Sequence, residues 1–523
     1  MPGFDLRIAL MLALLVAGLS VAARRLKIAS PILMLVAGIV LAFVPRLPAV
    51  HVDPEVVLLV LLPPLLYSSG VGMSWRGFRA NLRPILLLAV GCVLFTAAAV
   101  AAVVHYALGV PWAVGFVLGA IVSPPDAVAP MAVLRAIPLP RRLTSILEGE
   151  SLVNDATALV TLGFALGAVG NAHFSLPAAV VQFVAIALGE IAFGIAVGWA
   201  MLKLRHVVHD PRAEILLALV TPFLAFWPPH AAGGSGVIAC VTAGLHVSWF
   251  GRDLIRPATR LQGYFIWDLV VWAVEALVFL LAGLQARAVV EALDGESWPR
   301  ARAAGAIVGL AVIIIRFVWV YPAAYLLPRD GLPDRRQTFL VAFTGLRGAV
   351  SLAAALLIPA MIDGHPFPDR DVVLFATYAV IVLTLVGLGS ALPAVVRALG
   401  VDRIGAAEAQ CDKRAERQVR LQAVDAVLRT LAERREPNGD VVAHGGALSG
   451  FHQDRRLLLD GFRADARLDL DLLDVERQAI GQAYLDEQLS DEARRRIERE
   501  LDLEDARLRH AHISAGIGGD PRR

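Results

Sequence analysis

Leu147-Glu148-Gly149-Glu150-Ser151-Leu152-Val153-Asn154-Asp155-Ala156-Thr157-Ala158-Leu159 puts three carboxylates and an asparagine at the head of a run that stays apolar to about Gly170. A charge at the centre of a membrane helix costs roughly 2.5–3.5 kcal/mol even on a lenient insertion scale, so such groups sit there where an ion or proton pathway needs them. At about 100° per residue, Glu148, Ser151 and Asp155 fall on one stripe, and Glu150 and Asn154 on another about 100° away. The first stripe offers carboxylate and hydroxyl oxygens, the ligand set of a hard cation. The second offers a carboxylate that needs a cationic partner and an amide that carries no charge. This is the pattern of a binding helix in an ion transporter.

The rest of the chain agrees. Hydrophobic residues make up 57% of the sequence and charged residues 18%, with a mean hydropathy of +0.65, far from a soluble composition. Residues 1–400 are apolar runs separated by short polar loops and read as a transmembrane transport domain. Residues 401–523 are dense in Arg, Glu and Asp and read as a cytoplasmic helical region, with helices near 406–436, 452–488 and 491–511. Cys92, Cys240 and Cys411 lie far apart without metal spacing, which argues against a disulfide framework or a zinc site. The first apolar run carries its charge behind it, at Arg24, Arg25 and Lys27. A signal peptide carries charge in front, so the run is read as a first span with its N-terminus outside.

A span needs about twenty apolar residues, which gives about thirteen spans, among them a fifth at 111–134, a sixth at 144–170 and a twelfth at 337–362. Alternate loops each hold three basic residues, such as Arg76, Arg79 and Arg83, or Arg135, Arg141 and Arg142. That asymmetry places those loops and the C-terminal region in the cytoplasm. Two spans are interrupted. Ser123-Pro124-Pro125-Asp126 breaks the fifth, because prolines remove backbone donors and push preceding residues out of the helical region; the freed carbonyls require a buried cavity. Asp126 then heads the second half-helix, where a carboxylate offsets the positive dipole end. In the twelfth, Gly345 and Gly348 flank a buried Arg347. Broken helices in matching positions of inverted halves point to the midplane site of a secondary transporter. The expected fold is therefore an all-α polytopic membrane protein built as an inverted repeat.

At these residues the chain resembles cation:proton antiporter family one, the bacterial and eukaryotic sodium/proton exchangers. The resemblance rests on Gly149-Glu150-Ser151-Leu152-Val153-Asn154-Asp155, Ser123 to Val128, and Gly345-Leu346-Arg347-Gly348-Ala349-Val350. Leu62-Pro63-Pro64-Leu65-Leu66-Tyr67 and Glu275-Ala276-Leu277-Val278-Phe279-Leu280-Leu281-Ala282-Gly283 add to it. It implies a homodimer working by alternating access, an ion carboxylate at Asp155, a hydroxyl ligand at Ser151, a helix-break aspartate at Asp126, and a core salt bridge of Glu150 with Arg347. Two departures stand out. Asp126 is followed by Ala127, where the family has Asp-Pro-Val. Ser68 stands where some relatives carry an acid in the third span.

The candidate ion and proton site is therefore Asp155, Ser151, Asp126, Asn154 and Ser123, with Asp155 and Ser151 as the Na⁺ ligands. Asp126 is read as a ligand or as a cap only. Asn154 is read as supporting the break, and its neutrality favours one-for-one exchange, because electrogenic relatives carry a second acid there. Glu275 and Arg316 form a second buried pair or face separate cavities; Asp268, one heptad before Glu275, lies on the same face. Glu190, mid-span, has no assigned role, and Glu148 is placed at the membrane surface. Ala231 to Gly236 reads as a loop and not a phosphate cradle, because no strand precedes it. The function expected is exchange of intracellular Na⁺ for external H⁺ across a bacterial plasma membrane. K⁺ or Li⁺ in place of Na⁺, and a transporter-like sensor signalling through the tail, are the alternatives. No cofactor, enzyme chemistry or nucleic-acid partner is implied.

Overall fold

The computed structural model describes residues 6–45, 54–134, 137–170, 176–208, 210–255, 257–293, 297–326, 334–362 and 365–411, with Arg414 and Leu503. Contacts divide the chain into two compact units, Met1–Gly405 and Ala406–Arg523. In the second, residues 406–411 are helical; the remainder of the expected tail helices lies outside the described residues.

The described residues of the first unit are predominantly helical. Its principal helices are α1 (Leu6–Leu26), α2 (Ser30–Ala42), α3 (Leu62–Gly72), α4 (Val93–Leu108), α5 (Trp112–Val122), α6 (Val128–Leu134), α7 (Arg141–Gly170) and α8 (Leu176–Val207). They continue with α9 (Pro211–Ala231), α10 (Val237–Leu254), α11 (Pro257–Leu284), α12 (Ser297–Leu326), α13 (Arg335–Phe343), α14 (Ala349–Leu356), α15 (Arg370–Val382) and α16 (Gly389–Leu399). π-helical turns precede α3 and α4 and join α15 to α16. A two-stranded antiparallel hairpin, β1 (Met361–Ile362) with β2 (His365–Pro366), follows α14. Among the described residues, seven helical stretches are long and apolar enough to cross a membrane, and four shorter ones are apolar. Such helices suit lipid because each satisfies its own backbone polar groups.

Two kinds of surface distinguish these helices. On α8, Val180, Val184, Leu188, Ile191, Ile195 and Trp199 are exposed, as expected where hydrocarbon replaces water. Between helices, small residues bring backbones together. Gly283, the last residue of the apolar Glu275–Gly283 run, packs α11 on α2: a Cβ there would collide with the Leu35 carbonyl and crowd Gly38. One core cluster joins α4, α5, α12 and α15 through residues such as Val100, Val117, Ile121, Val308 and Val380. It is the wall against which the first interrupted span rests.

The two interruptions are real. α5 ends at Val122 and α6 starts at Val128; α13 ends at Phe343 and α14 starts at Ala349. Both gaps fall in the apolar interior, and α7 runs past them unbroken.

Candidate ion-binding site

The two gaps are bonded to each other. The Asp126 N–H donates to the Leu346 carbonyl at 2.7 Å, and the Arg347 N–H donates to Thr384 Oγ1 at 3.0 Å. Asn154 of α7 donates through Nδ2 to the Pro125 carbonyl, so this residue supports the break. Unwound backbone in lipid is tolerable only with such partners.

Four half-helix ends meet here, and two side chains answer their dipoles. Asp126 sits at the N-terminal ends. Its Oδ1 accepts from the Val128 N–H at 2.8 Å, capping α6. Its carboxylate also lies against Gly348, which precedes α14, so that a Cβ on Gly348 would collide with it. Arg347 sits at the C-terminal ends: Nε donates to the Val122 carbonyl closing α5, and Nη1 donates to Gly345 O at 3.0 Å, just past α13. Arg347 is 1% exposed.

The structure corrects both expected ion pairs. Glu150 is held by Arg316 of α12, with Nη1–Oε1 at 2.7 Å and Nη2–Oε2 at 2.9 Å. Arg316 also donates from Nε and Nη2 to Val341 O, at 3.2 and 3.0 Å. The pairing of Glu150 with Arg347 is therefore replaced, because the Arg347 guanidinium is turned to the helix ends. Glu275 with Arg316 is replaced as well, because Arg316 is committed to Glu150. The forked geometry of a guanidinium matches a carboxylate when both edges can align, and helix packing allows that for α7 with α12.

Asp155 and Ser151 face a cavity of about 510 Å³ that also reaches Asp126, Glu148 and Glu275. Asp155 is 8% exposed. Ser151 Oγ accepts from the Ala127 N–H at 3.4 Å. The stripe read from helical periodicity thus lines one space, Glu148 included. The cavity extends past Ile137, Leu139 and Thr144, near the start of α7 at Arg141 and Arg142. Ser123 is elsewhere: its hydroxyl turns back onto the Ala120 carbonyl at 3.0 Å.

Ser69, Gly72 and Glu275 also border a second cavity of about 1170 Å³, which contains Ser68 and Asp268. Asp268 therefore shares a cavity with Glu275, and Ser68 lines that second cavity, its hydroxyl bonded to Leu65 O at 2.9 Å.

Sequence reasoning missed the role of Glu190. Its buried carboxylate accepts from the N–H groups of Ser235 (2.6 Å), Gly236 (3.0 Å) and Ile238 (3.1 Å), and from Ser235 Oγ. The Ser235-to-Ile238 stretch is a carboxylate cradle, filled by the chain's own Glu190 at the N-terminus of α10. A glycine run opening a span, with one unexplained acid on the preceding helices, was the available signal.

The family described as "Sodium/hydrogen exchanger, transmembrane" matches residues 10–398. An uncharacterized Na⁺/H⁺ exchanger of Mycobacterium bovis is 33% identical over 519 residues, covering 94% of this chain and 93% of that protein. A protein of Bacillus subtilis named sodium, potassium, lithium and rubidium/H⁺ antiporter is 31% identical over 375 residues, covering 68% of this chain and 56% of its own. Among solved structures, the sodium proton antiporter MjNhaP1 from Methanocaldococcus jannaschii at pH 8 superposes with a TM-score of 0.62 at 20% identity. It covers 75% of this chain and 97% of that one, a likeness of fold.

Proposed function

The chain belongs to the sodium/hydrogen exchanger family, and from that membership we propose that cytoplasmic Na⁺ and external protons compete, one for one, for the Asp155 carboxylate. Secondary active sodium/proton antiport in the plasma membrane is the family's activity and this chain's. The observation that carries the mechanism is the placement of Asp155 and Ser151 on one helical stripe facing one cavity. A carboxylate with a hydroxyl beside it suits a hard monovalent cation.

Coupling follows from charge. With Na⁺ or a proton bound, Asp155 is neutralised; empty, it is a bare carboxylate in a low-dielectric interior. Moving that bare charge through hydrocarbon costs several kcal/mol, so the unloaded carrier does not cross and slippage is suppressed. Glu150 has Arg316 as a fixed partner, and Asp126 and Arg347 answer helix ends. The neutral Asn154 adds no charge, and one positive charge moves each way.

On this reading the wide cavity, which extends past Ile137, Leu139 and Thr144, is open to the cytoplasm. The same reading makes the chain a thirteen-span inverted repeat with its N-terminus outside, in which α5/α6 and α13/α14 are the equivalent broken spans. It also makes residues 1–400 the transport domain of a homodimer and 401–523 a cytoplasmic helical region. K⁺ and Li⁺ are admitted as alternative cargo by the name of the Bacillus subtilis relative.

The test is flux in proteoliposomes. Asp155→Asn removes both Na⁺ flux and Na⁺-coupled proton flux and leaves a folded protein, because the amide neither titrates nor supplies charge. In the parent, KM for Na⁺ rises about tenfold per unit as pH falls below the carboxyl's pKa and is flat above it. A pH-independent KM, or substantial exchange by Asp155→Asn, refutes the mechanism.

A further inference from the structure

The second cavity carries groups that ion exchange at Asp155 does not use. The last turn of α8 and the first turns of α11 border it, through Arg205, Thr259, Gly263, Trp267, Val271 and Trp272. Arg205 is 7% exposed and Thr259 1%. Arg205 Nε and Thr259 Oγ1 are both buried without a hydrogen-bond partner among the described residues. Leaving such groups unmet is costly, most of all on a charged side chain. The C-terminal end of α8 favours a cation, which accounts for the charge of Arg205 but leaves its Nε without an acceptor.

The start of α11 adds a second positive feature. The N–H groups of a first helical turn have no partner within the helix, and the dipole is positive there. Thr259 belongs to that turn. A guanidinium and a helix N-terminus both suit the oxygens of a phosphate. The acids nearby stand apart from this end. Asp268 and Glu275 lie nine and sixteen residues beyond Thr259 on α11, roughly 14 and 24 Å along the helix axis. Glu214, in the first turn of α9, acts on Arg205 through space, but both its carboxylate oxygens lack a hydrogen-bond partner, so the guanidinium donors stay free of it. The cavity, about 1170 Å³, is larger than a phosphate requires and as large as pockets that take drug-sized ligands. Trp267, Val271 and Trp272 give it an apolar wall, with the Trp267 ring packed 5.4 Å from that of Tyr67.

We propose that this cavity binds a phosphate-bearing anion at the Arg205–Thr259 end, with the guanidinium, the Thr259 hydroxyl and the first turn of α11 meeting the phosphate oxygens and the apolar wall receiving whatever hydrocarbon the phosphate carries. Free phosphate compounds and membrane phospholipids share this chemistry. The occupant ties the end of α8 to the start of α11, two helices that meet at the same membrane boundary. Neither Arg205 nor Thr259 lines the cavity of Asp155, so the site stands or falls apart from the exchange mechanism.

The test titrates purified full-length protein in one detergent with inorganic phosphate, with dihexanoylphosphatidylglycerol, and with dihexanoylglycerol, which has the same chains and no phosphate. Binding is read as a rise in Tm, with sodium chloride at matched ionic strength as the blank. At saturation the parent gains roughly 3 °C or more from a phosphate compound and nothing from dihexanoylglycerol. A rise with inorganic phosphate shows that a soluble phosphate suffices; a rise with the lipid alone assigns the site to a membrane phospholipid. Arg205→Gln raises the Kd about tenfold or more, because a charge-assisted hydrogen bond is lost. Thr259→Ala raises it by roughly threefold, the loss of one neutral hydrogen bond. No rise with either phosphate compound, an equal rise with dihexanoylglycerol, or parent-like binding by Arg205→Gln overturns the proposal. Where Arg205→Gln does not fold, parent-like binding by Thr259→Ala overturns it.

Discussion

Glu150 lies within reach of two buried arginines in sequence terms, and the structure assigns it to one of them. A double-mutant cycle tests that assignment. Glu150 and Arg316 are each 2% exposed and share two hydrogen bonds of 2.7 and 2.9 Å. Removing one partner of such a pair leaves an uncompensated buried charge and costs roughly 3–5 kcal/mol. Glu150→Gln keeps the shape and removes the charge. Arg316 then retains the Val341 carbonyl, which places the loss near 3 kcal/mol, the low end of that range. Arg316→Met leaves Glu150 without its only ion-pair partner among the described residues, and its loss lies near the upper end, about 5 kcal/mol. The double variant removes both charges and recovers roughly 2–3 kcal/mol of the summed loss, the size of coupling seen within one shared network. Glu150→Gln combined with Arg347→Gln recovers well under about 1 kcal/mol, since those side chains bond different groups. Thermal unfolding of purified protein in one detergent, with membrane-inserted yield as a second readout, measures all of these. Strong coupling of Glu150 to Arg347 and none to Arg316 would refute the pairing.

Three further outcomes follow from the same geometry. Na⁺-driven proton flux stays nearly unchanged when valinomycin and K⁺ collapse the membrane potential; flux that scales with imposed voltage contradicts one-for-one exchange, because a net charge couples about 2.3 kcal/mol per 100 mV to the cycle. Ser151→Ala weakens apparent Na⁺ affinity, read as a higher KM at alkaline pH, and leaves proton release in a pH-jump assay intact, since only a neutral oxygen is lost; an unchanged KM removes Ser151 from the ligand set. Glu190→Ala leaves the Ser235, Gly236 and Ile238 N–H groups facing an apolar space, with an expected loss of roughly 2 kcal/mol or more, whereas Glu190→Gln keeps one acceptor and loses less. Equal stability of the two Glu190 variants would show that the cradle needs no acceptor.

Part of this architecture was legible before any coordinates. Helix periodicity is a local property, so the common stripe of Glu148, Ser151 and Asp155 could be drawn from spacing alone, and one cavity does face all three. Proline chemistry is equally local: Pro124 and Pro125 cannot donate, so the fifth span had to break and Asp126 had to stand at the head of what followed. Asn154 was likewise read as support for the break, and it donates to the Pro125 carbonyl. These inferences needed only bond geometry and the cost of unmet polar groups in lipid.

The partner of each buried charge was another matter. Arg316 and Arg347 lie 166 and 197 residues beyond Glu150 in the chain, and nothing in composition or spacing ranks one above the other. Which guanidinium reaches the carboxylate depends on how α12 packs beside α7 and on where the unwound backbone of the second break carries Arg347. The same holds for Glu190, whose cradle is 45 residues away. Sequence by itself determined the membrane class, the broken spans and the shared stripe of Glu148, Ser151 and Asp155, because these follow from helical pitch, proline and hydrophobicity within a single segment. Tertiary structure alone decided which charges neutralise one another, because that depends on distances of a few ångströms between helices that no local rule specifies.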